Sequence, residues 1–340
     1  MPDMSMGEPM KAGPQPSQMS DAVALQIAMQ EAAAPAWGTV ALFVVEITMW
    51  AVSGYAAITH LWPMWVCFLV SLTAIYLNYT PHHEAVHGNI SGNRRDLVWL
   101  NETIGWITGI VFYHGFTMQR ITHLTHHATT NNPEEDPDYW AHGKSPLMIA
   151  IRCLSILVPY EIHGWRIMMR AKNRRWPLVR SVMEKTIAWG FVVVLVATGH
   201  WDAALFAFVL PAAIASGMLA FMFDWLVHHP HHVPVTDRYR TSNVYLFPKE
   251  MHGLMTRLWI FQNYHIIHHL YPRVPFYRYP RVFEMIRSLL EVRGTCITVF
   301  RWKDSALPAL TYTTVPVPVA APATTPAAAR AAQGGRRDAA

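Results

Sequence analysis

The chain has 340 residues, 52% of them hydrophobic and 14% charged, with a net charge of +5. Soluble domains carry about 25% charged residues, so the composition excludes an ordinary soluble enzyme and points to a bilayer. Three widely spaced cysteines, Cys67, Cys153 and Cys296, exclude a disulfide framework and a thiolate-held iron–sulfur cluster.

Residues 1–35 start MPDMSMGEPMKAGPQPSQ, with no basic stretch leading into an apolar core. They do not read as a secretory signal and are expected to form a disordered cytoplasmic tail. A helix needs about 20 apolar residues to cross a hydrocarbon core of about 30 Å. Trp37–Ile58 meets this with Glu46 as its single charge, and Leu61–Tyr79 follows almost at once. These two form a hairpin with a very short outer turn. Leu97–Phe116 is interrupted by Asn101, Glu102 and His114 and reads as an interfacial or re-entrant helix. Leu147–Pro159 carries Arg152, is too short to span, and is expected along the surface. Val182–Thr198 and Ala203–Phe223, joined by Gly199-His200-Trp201-Asp202, form a second hairpin. From about Ala306 the text is rich in Pro, Ala and Thr, so 305–340 reads as a second disordered tail.

The expected fold is therefore all-α integral membrane over residues 36–304. It has four transmembrane helices in two hairpins, interfacial helices and a histidine-rich cap. Lysine and arginine mark the cytoplasmic side. Only Lys11 falls in the first 80 residues and none occurs over 186–237, while the rest crowd into 81–185 and 238–340. Both termini and the polar chemistry are thus expected on the cytoplasmic side.

Nineteen histidines stand in the chain, most of them in four groups just past apolar segments. The groups are His82-His83-Glu84-Ala85-Val86-His87, His123-Leu-Thr-His126-His127, His228-His229-Pro230-His231-His232, and His265-Ile-Ile-His268-His269. Residues three and four apart share a helix face, so His83 and His87 can grip one ion, and each HxxHH triplet offers a similar grip. With one or more histidines of the third group, these supply more imidazoles than one four-coordinate zinc needs. They suit two ions. Imidazole binds Zn, Cu, Fe and Ni alike; the donor number and the membrane setting favour iron. His60, His142, His163, His200 and His252 read as solvated surface residues, and His82 and His114 are set with them. Pro230 interrupts any helix in the third group, which leaves His229, His231 and His232 open between ligand and surface roles.

Two rival readings compete. His83-Glu84-Ala85-Val86-His87 matches HExxH, in which two histidines bind zinc and the glutamate is a base, but that site leaves both HxxHH triplets unexplained. A metal transporter would place its ligands within the spans, near the midplane, not past the helix ends.

At these residues the chain resembles the membrane fatty-acid desaturase and hydroxylase superfamily, whose hallmark is HxxxH, HxxHH and HxxHH boxes around four transmembrane helices. The resemblance covers roughly residues 40–300. Three stretches look most like the bacterial and cyanobacterial carotenoid β-ring hydroxylases: HLTHHATTNNPEEDPDYW at 123–140, FDWLVHHPHH at 223–232 and FQNYHIIHHLYPRVPFYRYPRVF at 261–283. The first box departs from that text, because HEAVHGNI lacks a further histidine three residues on, and the third group is unusually rich in histidine.

The resemblance implies iron ligation by His83, His87, His123, His126, His127, His228, His265, His268 and His269. It also implies that Asn263 approaches one iron through water and that Asp224 orients a ligand histidine. It further implies a bacterial inner-membrane enzyme in which two iron ions and O2 oxidise C–H bonds of a lipid. A carotenoid ring hydroxylase comes first, with an acyl-lipid desaturase or hydroxylase as the alternative. No flavin or nicotinamide fingerprint occurs in the sequence, so electrons are expected from a partner such as ferredoxin. The basic run Arg166, Arg170, Lys172, Arg174, Arg175, Arg180, Lys185 could dock such a partner, although fixing topology against anionic lipid is the favoured reading.

Overall fold

The computed structural model describes residues 19–302 and 310–314. The chain enters as helix α1, Asp21–Ala32, whose first turn is capped by the Ser20 hydroxyl accepting from the Val23 N–H at 3.3 Å. Within the tail expected to be disordered, residues 21–32 are instead helical: Ala24, Ile27, Ala28 and Ala32 are buried in one apolar cluster with Val282, Phe283 and Ile286. Short alanine side chains allow that close approach. Residues 1–18, 303–309 and 315–340 lie outside the described residues, and with them most of the two tails expected to be disordered.

Helices α2, Trp37–Ile58, and α3, Met64–His87, form the first hairpin. Small polar groups zip them together: Ser53 donates to the Cys67 carbonyl at 2.7 Å, and Ser71 donates to Ser53 at 2.9 Å. The second expected span stopped at Tyr79, yet α3 continues through Pro81 and the first histidine group to a left-handed cap at Gly88. At about 1.5 Å per residue this helix is ~36 Å long, longer than the hydrocarbon core, so its last turns project beyond it.

Helix α4, Val98–Val111, is the expected interfacial segment, and α5, Phe116–Thr129, carries the second histidine group. The two are separated by a turn at Gly115, where φ is +85° and an added Cβ would meet the Glu184 carboxylate at 2.6 Å. Only glycine fits there. The expected surface helix at 147–159 is two helices, α6, Pro146–Leu154, and α7, Leu157–Arg170, bent by 59°.

Helix α8, Arg175–Ala197, contains the expected third span, and α9, Trp201–Leu226, contains the fourth. Among the described residues, three helices are long and apolar enough to cross a membrane (α2, α3 and α9), and the bent α6–α7 pair meets the same test as one broken span. Arg180, Glu184 and Lys185 keep α8 out of that set, although Val193, Val194 and Val196 of its outer half are exposed as lipid-facing side chains are. Helix α9 holds two π-helical stretches, Ala204–Val209 and Ala220–Leu226.

The cap adds α10, Lys249–Leu258, α11, His265–Leu270, and α12, Tyr279–Val292. It also holds a sheet that the all-α expectation missed. Strand β1, Val244–Leu246, runs parallel to β2, Ile297–Trp302, and β3, Leu310–Thr314, pairs antiparallel with β2. The strands are short, and β1 is remote in sequence from its partner β2, so no local alternation marked the sheet. Strand β3 also falls inside the segment expected to be a disordered tail.

Candidate metal centre

Four structural ends meet in the cap. The last turns of α3 bring His83 and His87, α5 brings His123, His126 and His127, the segment just past α9 brings His228, and α11 brings His265, His268 and His269. The register of α5 is set from outside it. The Glu184 carboxylate of α8 accepts from the Thr117 N–H at 3.0 Å and from the Thr117 hydroxyl at 2.8 Å, filling the donor positions that a helix start leaves open.

The result is two buried quartets. His83, His87, His123 and His268 form one, and His126, His228, His265 and His269 the other, with the ligating atoms of each within 4.8 Å of one another. His127 joins them: its Nε2 lies 3.0 Å from Nε2 of His123 and 2.8 Å from Nε2 of His268, and its ring centroid is 4.6 Å from that of His269. All nine histidines the sequence proposed as ligands are therefore gathered in one place.

The hydrogen bonds around the second quartet say what its nitrogens face. His126 Nδ1 is 2.8 Å from Asp136 Oδ1, His228 Nδ1 is 2.9 Å from the Thr241 carbonyl, and His265 Nδ1 is 2.7 Å from Gln262 Oε1. A carboxylate or carbonyl oxygen can only accept, so it fixes a proton on Nδ1 and, in a neutral ring, leaves Nε2 to face a metal. The Nε2 atoms converge: that of His269 is 3.1 Å from that of His265 and 3.3 Å from that of His126. The donor set, its tautomers and its buried oxygen anchors therefore fit bound metal.

Burial pushes the His228 imidazole down to about 3, with the nearby His126 adding to the effect, and holds His265, His268 and His269 well below the usual histidine range. These rings are neutral at physiological pH and need lose no proton to take a metal. For His126 burial works the same way, but Asp136 and Asp138 outweigh it and hold the ring up at about 9.

Two residues expected beside the metals have other immediate partners. Asp224 was expected to orient a ligand histidine; its Oδ2 is instead 3.1 Å from the Tyr160 hydroxyl. Among the described residues, the carboxylates that reach a quartet histidine are Asp136 and Asp138, the latter with Oδ2 3.3 Å from His126 Nδ1. Their signal was present as the DPD that follows the second group, with an acid ten residues after His126. Asn263 donates to the Tyr245 carbonyl at 3.0 Å and to Thr256 at 3.2 Å, tying the α11 approach to β1, while its Oδ1 is buried without a partner. Gln262 and Tyr279, the latter 3.3 Å from His268 Nδ1, were not singled out from sequence.

The remaining histidines fall outside both quartets. His82 contacts the Thr108 hydroxyl at 2.9 Å, and His114 contacts Glu161 at 2.9 Å. Both are buried, which corrects their placement at the surface. His229 and His232 are exposed, whereas His231 is buried with its ring 5.2 Å from that of His142. His252 is not a solvated residue: its Nδ1 accepts from the Phe247 N–H at 3.1 Å and its Nε2 lies 2.7 Å from the Tyr264 hydroxyl.

Glu84 tests the HExxH rival. One of its oxygens accepts from the Thr39 hydroxyl and the other from the Phe276 N–H at 2.6 Å, so the carboxylate braces α2 and the cap. It is not free to act as a base. Beside the first quartet, Tyr79 stacks on His83 with centroids 5.4 Å apart. Tyr79, Phe112, His114, Tyr160 and Asp224 help line a small cavity of about 30 Å³.

The fatty acid desaturase family model matches residues 59–299. Two β-carotene ketolases of Paracoccus species are 27% identical over 205 residues and 30% identical over 203, each match covering 58% of this chain and 70% of the relative. An sn-1 acyl-lipid omega-3 desaturase (ferredoxin) of Synechocystis is 24% identical over 271 residues, covering 70% of this chain and 72% of the relative. The carotenoid relatives thus carry the name of ketolases, where the sequence text had suggested hydroxylases.

Proposed function

Because the chain belongs to the fatty acid desaturase family, we propose that it is a membrane oxygenase whose nine gathered histidines hold two iron ions and which uses O2 to oxidise ring carbons of a carotenoid. The observation that carries this reading is the pair of buried imidazole quartets joined by His127. The nine histidines would hold the two irons, which would supply O2 activation: with two electrons and two protons from outside, one oxygen atom would enter a C–H bond and the other would leave as water.

The protein's own contribution is positioning. Asp136, Thr241 and Gln262 fix the tautomers of His126, His228 and His265, and burial keeps the other rings neutral and water away. The names of the Paracoccus relatives favour a ring methylene as the target. A second oxygen insertion at the same carbon gives a diol that loses water to leave a ketone, so hydroxylation and ketone formation make the same demand on this site. They differ in which carbon is held and for how many rounds.

Electrons come from a ferredoxin-type donor on this reading, in keeping with the name of the Synechocystis relative. The lysine and arginine distribution favours a cytoplasmic side for the cap. An acyl-lipid desaturase is the second reading, favoured by the larger share of the chain, 70%, that the Synechocystis match covers. Expression in a host that makes β-carotene separates the two. Ring-oxidised carotenoid is the expected result. Unchanged carotenoid with newly unsaturated acyl chains would replace the first reading with the second.

A further inference from the structure

The two quartets are not buttressed alike. Among the described residues, the only oxygen within hydrogen-bond reach of a ring nitrogen in the His83 quartet is the Tyr279 hydroxyl, 3.3 Å from His268 Nδ1. The His126 quartet has a carbonyl, an amide oxygen and two carboxylates against its rings. One of these carboxylates is held by a residue outside the family's histidine boxes. The Tyr160 hydroxyl on α7 lies 2.6 Å from Asp138 Oδ1 and 3.1 Å from Asp224 Oδ2, and the other oxygen of Asp138 lies 3.3 Å from His126 Nδ1.

Each member of this chain is buried: Tyr160 is 9% exposed, Asp138 and Asp224 6%, and His126 1%. The chain also joins three separate elements, because Asp224 lies in the π-helical end of α9, Tyr160 in α7 and Asp138 in the turn after α5. π-Helical turns are concentrated at functional sites. Hydrogen-bonded partners of a metal-binding imidazole tune its basicity and orientation, and in a low-dielectric interior such a chain polarises along its length.

We propose that Tyr160 is a positioning residue for one of the two metal positions only: by holding Asp138 against His126 it sets the donor strength of the His126 quartet and leaves the His83 quartet untouched. This rests on the two-iron reading above, and the measurement keeps the two apart. Full-length protein loaded with Mössbauer-active iron gives two quadrupole doublets if the positions differ. Tyr160→Phe keeps about two irons per chain and moves one doublet. Tyr279→Phe, which alters the hydroxyl beside His268, moves the other. Asp138→Asn provides a second route should Tyr160→Phe not fold, and moves the same doublet that Tyr160→Phe would.

Failure to bind two irons in the wild-type protein would sink the functional reading itself. Two bound irons with a single unresolved doublet, with both doublets shifted alike by Tyr160→Phe, or with no shift at all, would overturn the role of Tyr160 and leave the functional reading standing.

Discussion

Glu184 and Thr117 meet across two helices, with one buried carboxylate accepting from both the amide and the hydroxyl of the threonine at the start of α5. That contact sets where His123, His126 and His127 stand, because a helix anchored at its first turn carries its later residues as a rigid body. Replacing a capping acceptor costs about 0.5–2 kcal/mol. Glu184→Ala is expected to lower thermal stability in detergent by an amount in that range and to reduce bound iron. Glu184→Gln, which keeps one acceptor oxygen, lies between it and the wild type. Full iron content in Glu184→Ala would show that α5 is placed by other contacts.

Asp136 is the nearest carboxylate to a histidine in the centre, 2.8 Å from His126 Nδ1. Loss of such a partner costs about 10–100-fold in metal affinity. Asp136→Asn is therefore expected to lose iron to a chelator in that measure. Asp224→Asn is expected to lose less, since Asp224 reaches His126 only through Tyr160 and Asp138. Equal losses in the two variants would contradict this order.

Histidine variants separate the site from its surroundings. His126→Ala and His268→Ala each remove a quartet member and are expected to abolish activity and lower iron content, with membrane insertion intact. His142→Ala is expected to change neither. His252→Ala should keep its iron but melt earlier, because it breaks the link between Phe247 and Tyr264. Iron lost from His252→Ala would place it in the metal site.

Acid should dismantle the metal-free protein within a defined window. His228 is depressed to about 3, with His265, His268 and His269 also held low, so the unfolded chain binds more protons than the folded one once pH drops below about 6.5. The stability they contribute is present above about 6.5 and is lost as pH falls towards 3. His126 runs the other way, raised to about 9. Its contribution is full below about 6.5 and disappears as pH rises through 9. Below about 6.5 the His126 contribution no longer changes while those of the depressed rings are lost, so the melting temperature without metal is expected to fall steadily below pH 6.5. A flat profile from 6.5 to 4 would refute this.

The parts legible in the sequence were those with a short repeat. Apolar runs marked α2, α3 and α9, and the i, i+3, i+4 spacing picked out eight of the nine histidines that come together, while His228 was singled out only by the resemblance. Helix α1 was missed because what holds it is remote: Glu31 pairs with Arg281 at 3.0 Å and Asp21 with Arg293 at 2.7 Å, about 250 residues away in the chain. Asp136 and Asp224 are both acids near a histidine group, and spacing alone does not say which side chain turns towards the ring. In the structure Asp136 faces His126, and Tyr160 of α7 lies between Asp138 and Asp224.

Helix α11 contributes to both quartets, His268 to one and His265 with His269 to the other. Neither metal position is therefore complete until the ribosome has passed residue 269. A nascent chain that ends before His265 holds three members of one quartet and two of the other. The two quartets are thus completed together, by the side chains of one six-residue helix.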